Sequence, residues 1–96
     1  MTFTYPAVLH QDADGVYHGY FPDLEGCFFQ GATIDEAIDD AIAAEKTWIE
    51  VQMEDADDDI YSTDLPFVSE HADIPLKEGE FIRNIHAIMH FEVGYY

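Results

Sequence analysis

The sequence predicts an α+β fold in which an antiparallel three-stranded sheet packs against one helix and a further strand follows, in the order β-β-β-α-β. Apolar side chains alternate in residues 3–10 and again in residues 81–93, which is typical of strands that bury one face. Between them, apolar residues recur at helical spacing over residues 34–49. At 96 residues the chain fits one core, so we expect a single domain over residues 1–96.

Three short strands are predicted before the helix. One face of the first strand, residues 3–10, carries Phe3, Tyr5, Ala7 and Leu9. Pro6 lies within this strand and lacks an N–H donor, which favours an edge position or a break in the ladder. The turn QDADG leads to a strand at residues 16–21, and the turn PDLEG leads to one at residues 27–31.

A capping box predicts the start of the helix. The Thr33 hydroxyl would accept from the Glu36 N–H, and the Glu36 carboxylate would reach back to the Thr33 N–H. The apolar stripe expected to lie on the sheet consists of Ile34, Ala37, Ile38, Ala41, Ile42, Trp48 and Ile49. The remaining arc carries Asp39, Asp40, Lys46 and Glu50. The acidic run EDADDD opposes the helix dipole, so the helix should end near residues 53–55.

The second half of the chain predicts a long loop and one strand. Residues 56–79 show no sustained period and contain two prolines. In residues 81–93, one face carries Phe81, Ile85, Ala87, Met89, Phe91 and Val93. The other face carries Ile82, Asn84, His86, Ile88, His90 and Glu92. A helix is the alternative here, but β-branched and aromatic residues with period two favour a strand.

The chain is strongly acidic, with 21 Asp and Glu against three Lys and Arg and a net charge of −18. Such a field repels phosphate backbones, so we expect no direct nucleic-acid binding. It attracts a basic partner, although acidity also simply keeps a small protein soluble. The single cysteine, the lack of an N-terminal signal segment and the short apolar runs predict a cytoplasmic protein that makes no membrane contact.

The run PDLEGC holds the residues that most resemble catalytic chemistry, namely Asp23, Glu25 and Cys27. A nucleophilic cysteine needs a nearby histidine or positive charge to lower its pKa, whereas neighbouring carboxylates raise it. We therefore expect Cys27 to be a small buried side chain and the chain to have no catalytic residue.

Three patterns that could bind a metal fail on spacing or rigidity. The sequence DADG at residues 12–15 lacks the first and last ligands of a calcium loop. On a strand, His86 and His90 lie about 13 Å apart and cannot share an ion, so with His18 they are expected on a sheet surface or at an interface. The acidic run at residues 54–59 presents carboxylates in different directions. We predict no metal and no cofactor.

A series of motifs runs through the first half of the chain: Tyr5-Pro6, Asp14-Gly15, Phe21-Pro22-Asp23-Leu24, Gly26-Cys27, Gln30-Gly31, Thr33 and Glu36-Ala37. In this order they resemble the N-terminal domain of HicB-type antitoxins over residues 5–53, and more weakly over residues 60–93. Glu25 stands where that family usually has proline, and Phe29 where it commonly has a small polar residue. Neither change touches a turn glycine, so the fold expectation stands.

The resemblance implies a partial ribonuclease H-like fold, without the converging carboxylates that ribonuclease H chemistry needs. It implies that the chain neutralises a small basic HicA-type mRNA-cleaving toxin by covering its active site, as a dimer or higher oligomer. Family members commonly continue into a C-terminal module that binds operator DNA. We expect that module to be absent or truncated here, and operator binding to require it.

Two sets of residues follow as candidate sites. For the toxin we expect the helix arc and the acidic run, namely Asp39, Asp40, Glu50, Asp55, Asp57, Asp58 and Asp59. For contacts between copies we expect Ile82, Ile85, Ile88 and Phe91 of the final strand. The main alternative is an acidic oligomerisation module that pairs through this strand and has no toxin partner. A third hypothesis, a metal-dependent hydrolase, would require tight Mg²⁺ or Mn²⁺ binding.

Overall fold

The computed structural model describes residues 2–54 and 65–89. Four strands and one α-helix follow in the order β1 (Thr2–Gln11), β2 (Tyr17–Tyr20), β3 (Phe28–Gly31), α1 (Ile34–Glu54) and β4 (Phe81–Ile88). The described part of the predicted loop is irregular except for a 3₁₀-helix at His71–Asp73. Neither helix in this part of the chain has both the length and the apolar character needed to cross a membrane.

The strands form one antiparallel sheet in the order β3-β2-β1-β4. The predicted β-β-β-α-β fold is confirmed. The further C-terminal strand joins the same sheet beside β1, so the sheet has four strands. The strands β3 and β4 are its two edges.

One face of the sheet packs against α1, as the alternation predicted. Tyr5 lies opposite Ile85 in the β1–β4 register, and Leu9 lies opposite Phe81. Tyr5, Leu9 and Ile85 are 3%, 0% and 2% exposed, because their side chains point to the helix. The core cluster consists of Tyr5, Ala7, Leu9, Phe21, Leu24, Cys27, Phe29, Ala37, Ala41, Ile49, Ile85 and Met89.

Pro6 lies in a central strand, but at a point where that strand has only one neighbour. The pairing of β1 with β2 covers Val8 to Gln11 and stops before Pro6, whereas β4 continues past it. The Phe21 N–H points away from β1, because it donates to the Cys27 carbonyl, so the N–H of the preceding residue Tyr20 points to its partner Val8 in β1. Val8 and Pro6, two positions apart, therefore both point their nitrogens to the β2 side, where β2 has already ended at the level of Pro6. The missing N–H therefore costs no ladder bond.

The cap of α1 differs from the prediction in one contact. The Glu36 N–H donates to the Thr33 hydroxyl at 3.1 Å, as predicted. The Glu36 carboxylate, however, accepts from the Ala32 N–H at 3.1 Å and not from that of Thr33. The chain bends at residues 32 and 33, which brings the earlier amide to the helix start.

Small residues bring α1 close to β3. A Cβ atom on Gly31 would lie 2.2 Å from the backbone nitrogen of Ala37 and 2.6 Å from the carbonyl carbon of Glu36. Backbone atoms of a helix cannot yield locally, so a side chain at residue 31 would push the start of α1 off the sheet. Ala37 and Ala41, both 0% exposed, continue this close contact along the helix.

The buried face of α1 also contains a carboxyl group, which the predicted apolar stripe omitted. Glu45 follows Ala37 and Ala41 at four-residue spacing, precedes Ile49 by four and is 0% exposed. Neither of its carboxyl oxygens has a hydrogen-bond partner among the described residues. Burial raises the pKa of Glu45 to about 8, and the nearby backbone N–H of Tyr5 counteracts this only in part. The core thus favours the uncharged acid.

This burial predicts a stability that falls with pH. Between the ordinary glutamate pKa of 4.5 and the folded value of about 8, the folded chain keeps a proton that the unfolded chain has lost. Relative to a Glu45→Gln variant, the wild-type chain should lose about 1.4 kcal/mol of unfolding free energy per pH unit in that window and no more above it. Urea denaturation from pH 5 to pH 9 measures this slope.

The matched control is Glu50→Gln, the same substitution on the exposed arc of α1. Its unfolding free energy should follow that of the wild-type chain at every pH. If the Glu45→Gln and wild-type curves run parallel, Glu45 does not keep its proton in the folded state.

Candidate functional site

Asp23, the first residue of the suspected catalytic run, serves as an anchor. One of its carboxylate oxygens accepts from the Ser69 backbone N–H at 2.8 Å, and the other accepts from the Ser69 hydroxyl. Both oxygens are therefore occupied by a residue that is 46 positions away in sequence. Asp23 ties the turn between β2 and β3 to the segment that leads to β4.

The other two residues of that run are also held by structural contacts. The exposed residue Glu25 uses its backbone carbonyl to accept from the Trp48 indole N–H at 2.9 Å, which fastens the same turn to α1. Cys27 is buried in the core, and burial raises the pKa of its thiol to about 11, with the nearby Glu45 acting in the same direction. A thiol with this pKa is not a nucleophile at neutral pH.

Asp12, the first residue of the DADG sequence that partly resembles a calcium loop, organises the first hairpin. Its carboxylate accepts from the Asp14 and Val16 N–H groups and from the His18 ring at 2.8 Å. The hydrogen bond from His18 is the main reason that the pKa of Asp12 lies below its usual value. The His18 ring also stacks on His10, with ring centroids 5.5 Å apart. The Asp12 carboxylate is thus hydrogen-bonded within the hairpin itself.

Three histidines, His10, His18 and His86, lie on the sheet face opposite α1. His18 pairs with His10 across β1 and β2, and His86 bonds to the Thr4 hydroxyl at 2.7 Å across β1 and β4. His90 lies outside the described residues. Within residues 2–54 and 65–89, no group of three or more His, Cys, Asp or Glu side chains could hold a metal ion.

A concave surface lies where the start of β3 meets the neighbouring side of α1. This β3–α1 groove has a volume of about 470 Å³ and is lined by Gly26, Cys27, Phe28, Asp40, Ala43, Ala44, Thr47, Trp48, Val51 and Gln52. Phe28 is 71% exposed and Val51 is 49% exposed, so apolar surface remains open to solvent. Asp40 accepts from the Gln30 N–H at 3.0 Å and so covers a donor on the strand edge.

An acidic depression adjoins the groove at the N-terminal half of α1. It has a volume of about 560 Å³ and is lined by Gln30, Gly31, Glu36, Asp39, Asp40 and Ala43. The acidic side chains Glu36, Asp39 and Asp40 line the groove or the depression, and no Lys, Arg or His side chain does. Two candidate residues, Asp39 and Asp40, thus lie together beside open apolar surface.

The remaining candidate residues are distributed differently. Glu50 is exposed on α1 but lines neither concavity. The candidates outside the described residues are Asp55, Asp57, Asp58, Asp59 and Phe91. The sequence pattern alone did not indicate the groove. Its apolar part combines Phe28, at the start of β3, with residues of α1 between Ala43 and Val51, which are far from Phe28 in the chain.

One candidate for contacts between copies requires correction. Ile85 is 2% exposed in the core because the odd-numbered face of β4 points to α1, so it is unavailable to a second chain. Ile82 is half-buried and Ile88 is 57% exposed, both on the opposite face.

Residues 5–91 match the profile of a family described as "HicB_like antitoxin of bacterial toxin-antitoxin system". The UPF0150 protein ssr1765 of Synechocystis sp. is 40% identical over 48 residues, which are 50% of this chain. The match spans 61% of that relative's length.

Solved structures show the same fold. A chain of a "HicA3 and HicB3 toxin-antitoxin complex" is 28% identical with a TM-score of 0.64, covering 85% of this chain and 94% of that one. The N-terminal domain of the Burkholderia pseudomallei antitoxin HicB is 25% identical with a TM-score of 0.65, covering 86% and 95%. A toxin-antitoxin complex from Streptococcus pneumoniae matches at 26% identity and a TM-score of 0.63, covering 92% and 70%. With the family profile matched over residues 5–91 and the fold shared, this chain belongs to the HicB-like antitoxin family of bacterial toxin-antitoxin systems.

Proposed function

We propose that this chain is an antitoxin that binds a small basic HicA-type ribonuclease and covers its RNA-binding site. Family membership and the similarity to a chain of a HicA3 and HicB3 complex support the identity of the partner. The observation on this chain that carries the proposal is the β3–α1 groove, whose open apolar surface adjoins the acidic depression lined by Glu36, Asp39 and Asp40.

The two parts of this surface supply different contributions to binding. A ribonuclease must present basic groups to RNA phosphates, so carboxylates at Asp39 and Asp40 complement the same groups. The net charge of −18 speeds the encounter with a basic protein. Exposed apolar side chains, Phe28 and Val51 in the groove, supply the desolvated contact from which most affinity arises.

The proposed role is that of a binding protein and not of an enzyme. Asp12 and Asp23 are hydrogen-bonded within the fold, and Cys27 is buried with a raised thiol pKa. We propose that the chain acts in the cytoplasm as a single domain without a cofactor, and that operator DNA is bound through a separate module.

The test combines the chain with a HicA-type protein and uses cleavage of an RNA as the readout. Excess wild-type chain should protect the RNA. Asp39→Lys should weaken binding roughly fivefold or more, mainly through slower association, because it reverses a charge beside the groove. Glu78→Lys, which makes the same charge change at an exposed residue of the segment before β4, should stay close to wild type.

The two failures are distinct. Undiminished RNA cleavage at excess wild-type chain would refute the antitoxin role. Equal losses in Asp39→Lys and Glu78→Lys would instead show that only net charge matters and that the groove is not the contact surface.

A second candidate function is self-association through the free edge of β4. The observation that favours it is Ile88, which is 57% exposed on this edge strand. Ile88→Glu should then lower the mass measured by light scattering after size exclusion, whereas Leu76→Glu, at a residue that is 45% exposed, should not. An unchanged mass for Ile88→Glu would exclude this edge as the contact.

A further inference from the structure

Two hydrogen-bonded attachments, at Pro66 and Ser69, stand close together in the described part of the segment between α1 and β4. The Tyr5 hydroxyl donates to the Pro66 carbonyl at 2.7 Å, across 61 positions of sequence. Ser69 donates through its backbone N–H and its hydroxyl to Asp23. Burial, together with the carboxylates of Glu45 and Asp23, raises the pKa of Tyr5, so its hydroxyl keeps the proton that it donates.

Between these two attachments the chain presents two adjacent apolar side chains to solvent. Phe67 is 96% exposed and Val68 is 56% exposed. Single exposed apolar residues are common on protein surfaces, but here both flanking residues are hydrogen-bonded to distant parts of the fold. The Phe67–Val68 tip, residues 66–69, is therefore held in position before any partner binds, which lowers the entropy cost of using it.

The turn between β2 and β3 connects the tip to the β3–α1 groove. On one side, Asp23 of this turn holds Ser69 of the tip. On the other side, Glu25 accepts from Trp48, and Trp48 lines the groove together with Gly26. One turn thus fixes both surfaces relative to each other.

We propose that the Phe67–Val68 tip is an apolar anchor that inserts into a pocket on the basic partner bound by the β3–α1 groove, an inference that rests on the proposed antitoxin function. Charge favours this occupant over a second copy, because a second copy carries the same net charge of −18 and would be repelled. Two exposed acidic residues, Glu70 and Asp73, follow the tip closely in the chain. A pocket rimmed by Lys or Arg on a basic protein complements this arrangement, whereas an anionic membrane does not.

Biolayer interferometry with the HicA-type protein of the RNA-cleavage test measures the contribution of the anchor. Phe67→Ala should weaken binding about tenfold or more, mostly through faster dissociation, as expected for an aromatic anchor. Leu76→Ala, an exposed apolar truncation in the same segment, should stay within about twofold of wild type. Both variants should unfold at the wild-type urea midpoint, because neither side chain is in the core.

A third variant tests whether the attachment matters. Tyr5→Phe keeps the buried ring and removes only the donor to Pro66, so it should slow association or raise the dissociation constant severalfold while Phe67 remains. Wild-type affinity in Phe67→Ala, or equal losses in Phe67→Ala and Leu76→Ala, overturns the anchor and leaves the antitoxin role standing. Absence of binding by the wild-type chain overturns both proposals.

Discussion

The close packing of α1 on the sheet is the constraint on which the other features of this domain depend. It requires the missing side chain at Gly31 and the small side chains of Ala37 and Ala41. With the helix seated this near to β3, its exposed arc and the free strand edge form one concave surface, the β3–α1 groove. The same packing encloses Glu45, so the domain carries a desolvated carboxyl group within the contact between α1 and the sheet.

Polar residues that resemble catalytic or metal-binding groups serve mainly to tie segments together. Asp12 closes the first hairpin through two backbone amides and His18. Asp23 holds Ser69, and Tyr5 holds Pro66, so the segment before β4 is positioned without regular secondary structure. A four-stranded sheet with one helix leaves much backbone in turns, and these side-chain bonds give that backbone fixed partners. Binding surfaces can then be presented by loops without a large entropy cost.

The sequence predicted those features that depend on local patterns. Alternation determined the faces of β1 and β4, and the capping box determined the start of α1, because both depend on residues that are neighbours in the chain. The spacing of Ala37, Ala41, Glu45 and Ile49, four residues apart, also indicates one helix face. Glu45 was nevertheless left out of the predicted buried stripe, because a charged residue is normally assigned to the surface. Ile85 was assigned to an interface because alternation separates two faces without saying which one the helix covers. The bonds to Pro66 and Ser69 span 61 and 46 positions, and no local pattern indicates them.

Hydrogen exchange of the chain, alone and bound to the proposed HicA-type partner, tests whether the β2–β3 turn unites two halves of one binding surface. The expectation is that the partner slows exchange both in the part of α1 that lines the groove and in the segment around Phe67, while β4 exchanges as in the free chain. Slower exchange confined to β4, or in the groove with no change around Phe67, would contradict it.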